Sequence, residues 1–128
     1  MVFVEILVCE KKMSNVRLAL EKKLKLKFEI HESDYWGIYY LCKKVAGMDS
    51  IKIMNNFVDG DWQQPDFQNC PIIIYLNNVH DNDNILKEII AGFVMAEKVY
   101  IYEKVKEDYN RKYIFENGKR ILVEEKKC

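Results

Sequence analysis

The chain has 128 residues, 20 Lys/Arg against 20 Asp/Glu, and hydrophobic and charged fractions of 49% and 31%. This composition excludes a disordered polymer and fits one folded domain over residues 1–128, long enough to bury a core without staples. The longest apolar runs, Ile72–Leu76 and Ile89–Ala96, fall short of the ~18–20 residues that a membrane-spanning helix needs; the expectation is a cytoplasmic protein with no membrane contact.

In chain order, "VFVEILV" (residues 2–8) has the length and Val/Ile/Phe content of a strand, apolar on both faces and therefore central. No basic residues precede it and no small-residue cleavage site follows, so it does not read as a signal peptide. "MSNVRLALEKKLK" sets Val16, Leu20 and Leu24 four residues apart with Lys and Arg opposite; the spacing predicts an amphipathic helix of about three turns with Ser14 as its cap. "KLKFEIHES" alternates Leu26, Phe28 and Ile30 against Lys27, Glu29 and His31, a half-buried strand. "WGIYYLCKKV" is a second strand, joined to it by a hairpin through Glu32–Tyr35. "SIKIMNNF" alternates again.

Next comes "VDGDWQQPDFQN", a long polar and acidic loop with turn formers at Asp59-Gly60 and Pro65-Asp66. "CPIIIYLNN" reads as a strand with Pro71 confined to its start. "VHDNDN" is a turn that caps a second helix, "ILKEIIAGFVMAEK", whose apolar stripe is Ile85, Leu86, Ile89, Ile90 and Phe93. From Lys98 the period becomes two, and Asn117-Gly118 between "YIFE" and "KRILV" is a hairpin signal. The expected fold class is therefore α+β: one domain, a mostly antiparallel sheet with two helices and a C-terminal β-hairpin.

Motifs for catalysis are weak. His80 in "HDNDN" fails the calcium-loop spacing, since position six is Ile85 and position twelve is Ala91. Glycine-rich phosphate loops and a G-x-S-x-G elbow are absent. Cys9, Cys42 and Cys70 lie in or beside apolar runs and read as reduced core thiols, with Cys128 an exposed tail residue. No metal and no cofactor are expected. Helix one carries Arg17, Lys22, Lys23 and Lys25, but a neutral chain lacks the dominant basic surface of a nucleic-acid module. A small hydrolase using two of the loop carboxylates is an alternative, as is an adaptor that pairs through a sheet edge; neither outweighs a binding protein without catalysis.

Charge is uneven. Residues 1–27 carry seven basic and three acidic residues, 28–92 four and ten, and 93–128 nine and seven. The acidic middle holds two aromatic-bearing connections: Glu32, Asp34, Tyr35 and Trp36 in one, and Asp59, Asp61, Trp62, Asp66 and Phe67 in the other. An apolar anchor with an acidic rim describes a protein-recognition surface for a basic partner.

The segment "IKIMNNFVDGDWQQPDFQNCPIIIYLNN" combines a strand ending in Asn, a Trp-bearing acidic loop and a Pro-led apolar strand. Over roughly residues 51–95 it resembles small bacterial immunity proteins of contact-dependent growth inhibition and related polymorphic toxin systems. That resemblance implies a bacterial cytoplasmic protein that binds one cognate toxin domain, often a nuclease with a basic cleft, and occludes its active site. It implies no catalytic residue.

Overall fold

The apolar run 2–8 pairs antiparallel with the apolar run 72–77, and the pair forms the middle of the sheet. The computed structural model describes residues 2–9, 12–34, 37–43, 45, 47–58, 60–63, 65, 68–80, 96–106, 109–116 and 119–127. In chain order the elements are β1 (Val2–Val8), α1 (Met13–Leu24), β2 (Glu29–Ser33), β3 (Gly37–Cys42), β4 (Ser50–Asn55), β5 (Phe57–Val58), β6 (Asp61–Trp62), β7 (Ile72–Asn77), β8 (Ala96–Lys106), β9 (Tyr109–Glu116) and β10 (Lys119–Lys127). Eight strands form one sheet in the order β10-β9-β8-β1-β7-β4-β3-β2, antiparallel throughout, and β5 and β6 form a separate small hairpin. The fold is thus α+β and sheet-dominated. No helix among the described residues is long and apolar enough to cross a membrane.

Period-two patterning sorts the sheet into two faces. Val4, Ile6 and Val8 of β1, Ile72, Ile74 and Leu76 of β7, and Ile51 and Ile53 of β4 face one side and are buried there with Val16 and Leu20 of α1. Met13, Ala19 and Leu24 of the helix pack against the same core. The opposite face buries Leu7, Ile73 and Cys70, with Tyr75 and Tyr100 packed beside them.

Three expectations need correction. One helix stands among the described residues where two were expected: most of the second stretch, 85–95, lies outside them, and its last residues, Ala96–Lys98, belong to strand β8. Ser14 does not cap α1. The helix starts at Met13, two residues earlier than a Ser14 cap would place it; Lys12 holds the cap position, and no side chain bonds there. Ile30 alternates correctly but is 65% exposed. Its strand ends the sheet, and alternation assigns a face without saying whether anything covers that face. Phe28, just before the strand, is buried, and its N–H donates to Glu21 Oε2 at 2.9 Å.

The C-terminal hairpin forms as expected: Glu116 stands opposite Lys119, which leaves a two-residue connection at Asn117-Gly118; those two residues lie outside the described set. At the far end of the sheet Asp49 accepts from Asn78 Nδ2 and pairs with His80 Nε2, both at 3.0 Å. These contacts hold the Asp49 carboxyl below its ordinary pKa, the bond from Asn78 contributing most.

Double-sided burial makes the central strands the stability determinant. Ile74→Ala is expected to cost about 2–5 kcal/mol, whereas Ile30→Ala should fall within about 0.5 kcal/mol of wild type. Urea unfolding of the two variants checks this; equal losses would show that burial is assigned wrongly.

Candidate recognition surface

Asn56 is where the chain leaves β4 and is the only buried polar residue among those described. A buried amide is costly unless its groups are bonded. Its N–H donates to the Pro71 carbonyl at 2.8 Å and its Nδ2 to the Cys70 carbonyl at 2.8 Å. Its own carbonyl accepts the Gln63 N–H at 2.7 Å. One residue therefore ties together the start, middle and end of the 56–71 segment.

That tie supports a hairpin where the sequence reads as an irregular loop. Phe57 pairs with Trp62 and Val58 with Asp61 across a two-residue connection at Asp59-Gly60. Gly60 has φ of 81°, which L side chains rarely adopt, and a Cβ there would meet nothing within 4 Å. Backbone conformation, not space, requires glycine. Val58 is buried and Asp61 exposed. Trp62 is half-buried, its ring centroid 5.0 Å from that of Phe57 with the planes tilted by 53°. Phe57 is 52% exposed. From sequence, Trp62 is expected as an anchor but Phe57 is not, because it reads as the last residue of a strand; the clue is its place two residues before the Asp59-Gly60 turn signal.

The other expected contributors divide. Glu32 and Asp34 are exposed on the β2–β3 hairpin. Tyr35, Trp36, Asp59, Asp66 and Phe67 lie outside the described residues. Topology brings the two connections to one end of the sheet. Tyr40 stands opposite Ile53, so the start of β3 lies beside the end of β4. The end of β2 and the end of β4 therefore lie at that end together, about 10 Å apart as two inter-strand spacings. Exposed Lys12, before α1, is also at this end, so the acidic groups do not stand alone.

A second feature lies on the face away from α1. Pairing registers line up Leu41, Lys52, Tyr75, Glu5, Tyr100 and Ile114 as one row across six adjacent strands. An open concavity of about 410 Å³ sits over the middle of that row, lined by Phe3, Glu5, Lys52, Met54, Gln63 and Tyr75 among others. Burial pushes the Lys52 ammonium below its ordinary pKa, and its Nζ lies 5.3 Å from the centroid of Tyr39, which stacks on His31 at 5.4 Å. Burial, with Glu5 adding to it, pushes the Tyr75 phenol up to about 12. Among the described residues no group of three His, Cys, Asp or Glu is placed to hold a metal ion.

No protein-family model matches the chain, and no curated protein or solved structure matches it either.

Two outcomes test this geometry. Asn56→Ala leaves the Cys70 carbonyl without its amide donor and is expected to cost roughly 1–3 kcal/mol, read by denaturant melts, with increased hydrogen exchange at Gln63. An unchanged melt would show that the amide is not a clamp. For Tyr75, the folded pKa lies above the unfolded value of 10.0. Its contribution is fully present below pH 10 and is lost as pH rises toward about 12. Tyr75→Phe should flatten the alkaline stability loss in that window; an identical loss in both proteins would assign the effect to other groups.

Proposed function

We propose that this protein is a non-catalytic binding domain that docks a basic protein partner through the Asn56-pinned end of its sheet. The reading is that of an immunity protein, which neutralises a cognate toxin domain by covering its active site. One observation carries it: exposed Phe57 packed on half-buried Trp62, with exposed Asp61 beside them, on a hairpin whose base is fixed by a buried amide. Exposed aromatics lose little conformational entropy on docking when their backbone is already ordered, and such residues dominate interface energetics. Asp61, Glu32 and Asp34 supply an acidic rim that steers a basic surface toward the anchor. The resemblance of residues 51–95 to immunity proteins adds the partner class: a toxin domain, with a nuclease whose basic cleft holds phosphates as the form that suits an acidic rim. The hydrolase alternative is less well supported, because the concavity on the open face holds a single carboxylate among its described lining residues, Glu5, where paired acid–base chemistry needs two.

A second reading is favoured by the edge strand. β2 ends the sheet, pairs without a register break, and exposes Ile30. The opposite edge, β10, is interrupted by a bulge between Leu122 and Glu124, a device that discourages strand addition. A partner strand on β2 would make the domain a sheet-edge adaptor.

The discriminating experiment uses the tagged protein as bait in host-cell lysate at low and moderate salt, with the captured partner then purified for titration. The immunity reading expects a stoichiometric basic partner whose toxicity is suppressed on co-expression. It also expects Phe57→Ala with Asp61→Lys to raise Kd about 100-fold while the melt stays near wild type. Retained tight binding by that folded variant, with loss on Ile30→Lys, would overturn the docking surface in favour of the edge.

A further inference from the structure

Cys9 and Cys70 are 61 positions apart in the chain, yet their Sγ atoms lie 3.8 Å from each other. Both are thiols and are not bridged. The approach follows from the sheet: Val8 stands opposite Ile72, so the residue leaving β1 and the residues entering β7 are neighbours at one end. The two sulfurs differ in access. Cys70 is completely buried, beside Leu7 and Ile73, and Cys9 is exposed. This corrects the expectation that Cys9 belongs to the core. Cys42, the remaining described cysteine, is buried in the separate core beneath α1.

We infer that Cys9 and Cys70 form a dithiol site that a low-molecular-weight disulfide converts to an intramolecular disulfide. Exposure and burial assign the order of events. The Cys9 thiol loses its proton and its sulfur attacks one sulfur of the small disulfide. The S–S bond of that molecule breaks, and one thiolate leaves and takes up a proton. Cys9 is then joined to the other half as a mixed disulfide. A small disulfide cannot reach Cys70, but Cys70 can reach Cys9. Its thiol loses a proton, its sulfur attacks Cys9 Sγ, and the second half leaves as a thiol. Two protein thiols are oxidised and one external disulfide is reduced to two thiols. Side-chain rotation must bring the sulfurs from their present separation to a bond of about 2.05 Å.

The consequence falls on the recognition surface. The Cys70 carbonyl is the acceptor for Asn56 Nδ2. A covalent bond at Cys70 would fix the base of the 56–71 segment to the end of β1 and reinforce what the Asn56 bonds do. The inference does not depend on the partner or on the function proposed above.

The test incubates the full chain with oxidised glutathione, quenches by alkylation, and maps disulfides by proteolysis and mass spectrometry without reduction. The expected result is a monomer lighter by roughly 2 Da, with one linked peptide pair containing Cys9 and Cys70. Closing a loop of this length raises Tm by on the order of 5–10 °C, reversed by dithiothreitol. Cys70→Ser should stop at a glutathione adduct on Cys9, and Cys9→Ser should acquire no bond at Cys70. A wild-type protein that keeps a glutathione adduct on Cys9, links Cys9 elsewhere or stays fully reduced would overturn the inference. The wild-type peptide map decides even if a serine variant fails to fold.

Discussion

Strand β7 is buried on both faces, and the rest of the structure answers that constraint. Ile72, Ile74 and Leu76 need a cover on one side, and Ile73 needs one on the other. Each fully buried isoleucine contributes about 1.5–3 kcal/mol relative to exposure, so leaving either face open would forfeit a large part of a domain's net stability. The first face is closed by α1 through Val16 and Leu20. The second is closed in part by the chain entering β7, where Cys70 packs on Leu7 and Ile73. The long connection between β4 and β7 therefore has a structural task before any functional one. Its length lets the chain turn back over the face that the helix cannot reach.

Closing a sheet with a loop creates a polar problem, because loop backbone groups need partners away from water. Asn56 solves it. Its three hydrogen bonds to Gln63, Cys70 and Pro71 make the base of the segment ordered, so the hairpin above it can carry exposed aromatics without collapsing onto the core. Stability and recognition are thus connected through one amide. The neighbouring thiols of Cys9 and Cys70 lie at the same junction, which makes it the place where a covalent change would act most directly on the recognition end.

The two faces of the sheet serve different chemistry. The helix side is a dry aliphatic core. The open side carries a row in which Lys52, Tyr75 and Glu5 are adjacent across three strands, and partial burial keeps the tyrosine neutral and makes the lysine easier to deprotonate. Tyr75 stands directly opposite Lys52 on one side and Glu5 on the other; cross-strand pairs of an aromatic with a long side chain stabilise a sheet in their own right, and this row reads first as such a device.

Local periodicity determined most of the elements. Apolar, β-branched runs of strand length placed β1, β3 and β7; alternation placed β4 and the C-terminal strands; the Val16–Leu20–Leu24 spacing gave α1; and Asn117-Gly118 marked the last turn, because these signals lie within a few residues of one another. The acidic residues Glu32, Asp34 and Asp61 were legible as exposed for the same reason. What tertiary structure alone decided is everything that depends on distant pairings. Strand order brought the end of β2 and the end of β4 to one end of the sheet, left Ile30 on an uncovered edge, exposed Phe57 more than Trp62 in their pair, and set Cys9 against Cys70. A sequence pattern records which side chains share a face, but which faces become covered is decided by non-local burial and hydrogen bonding.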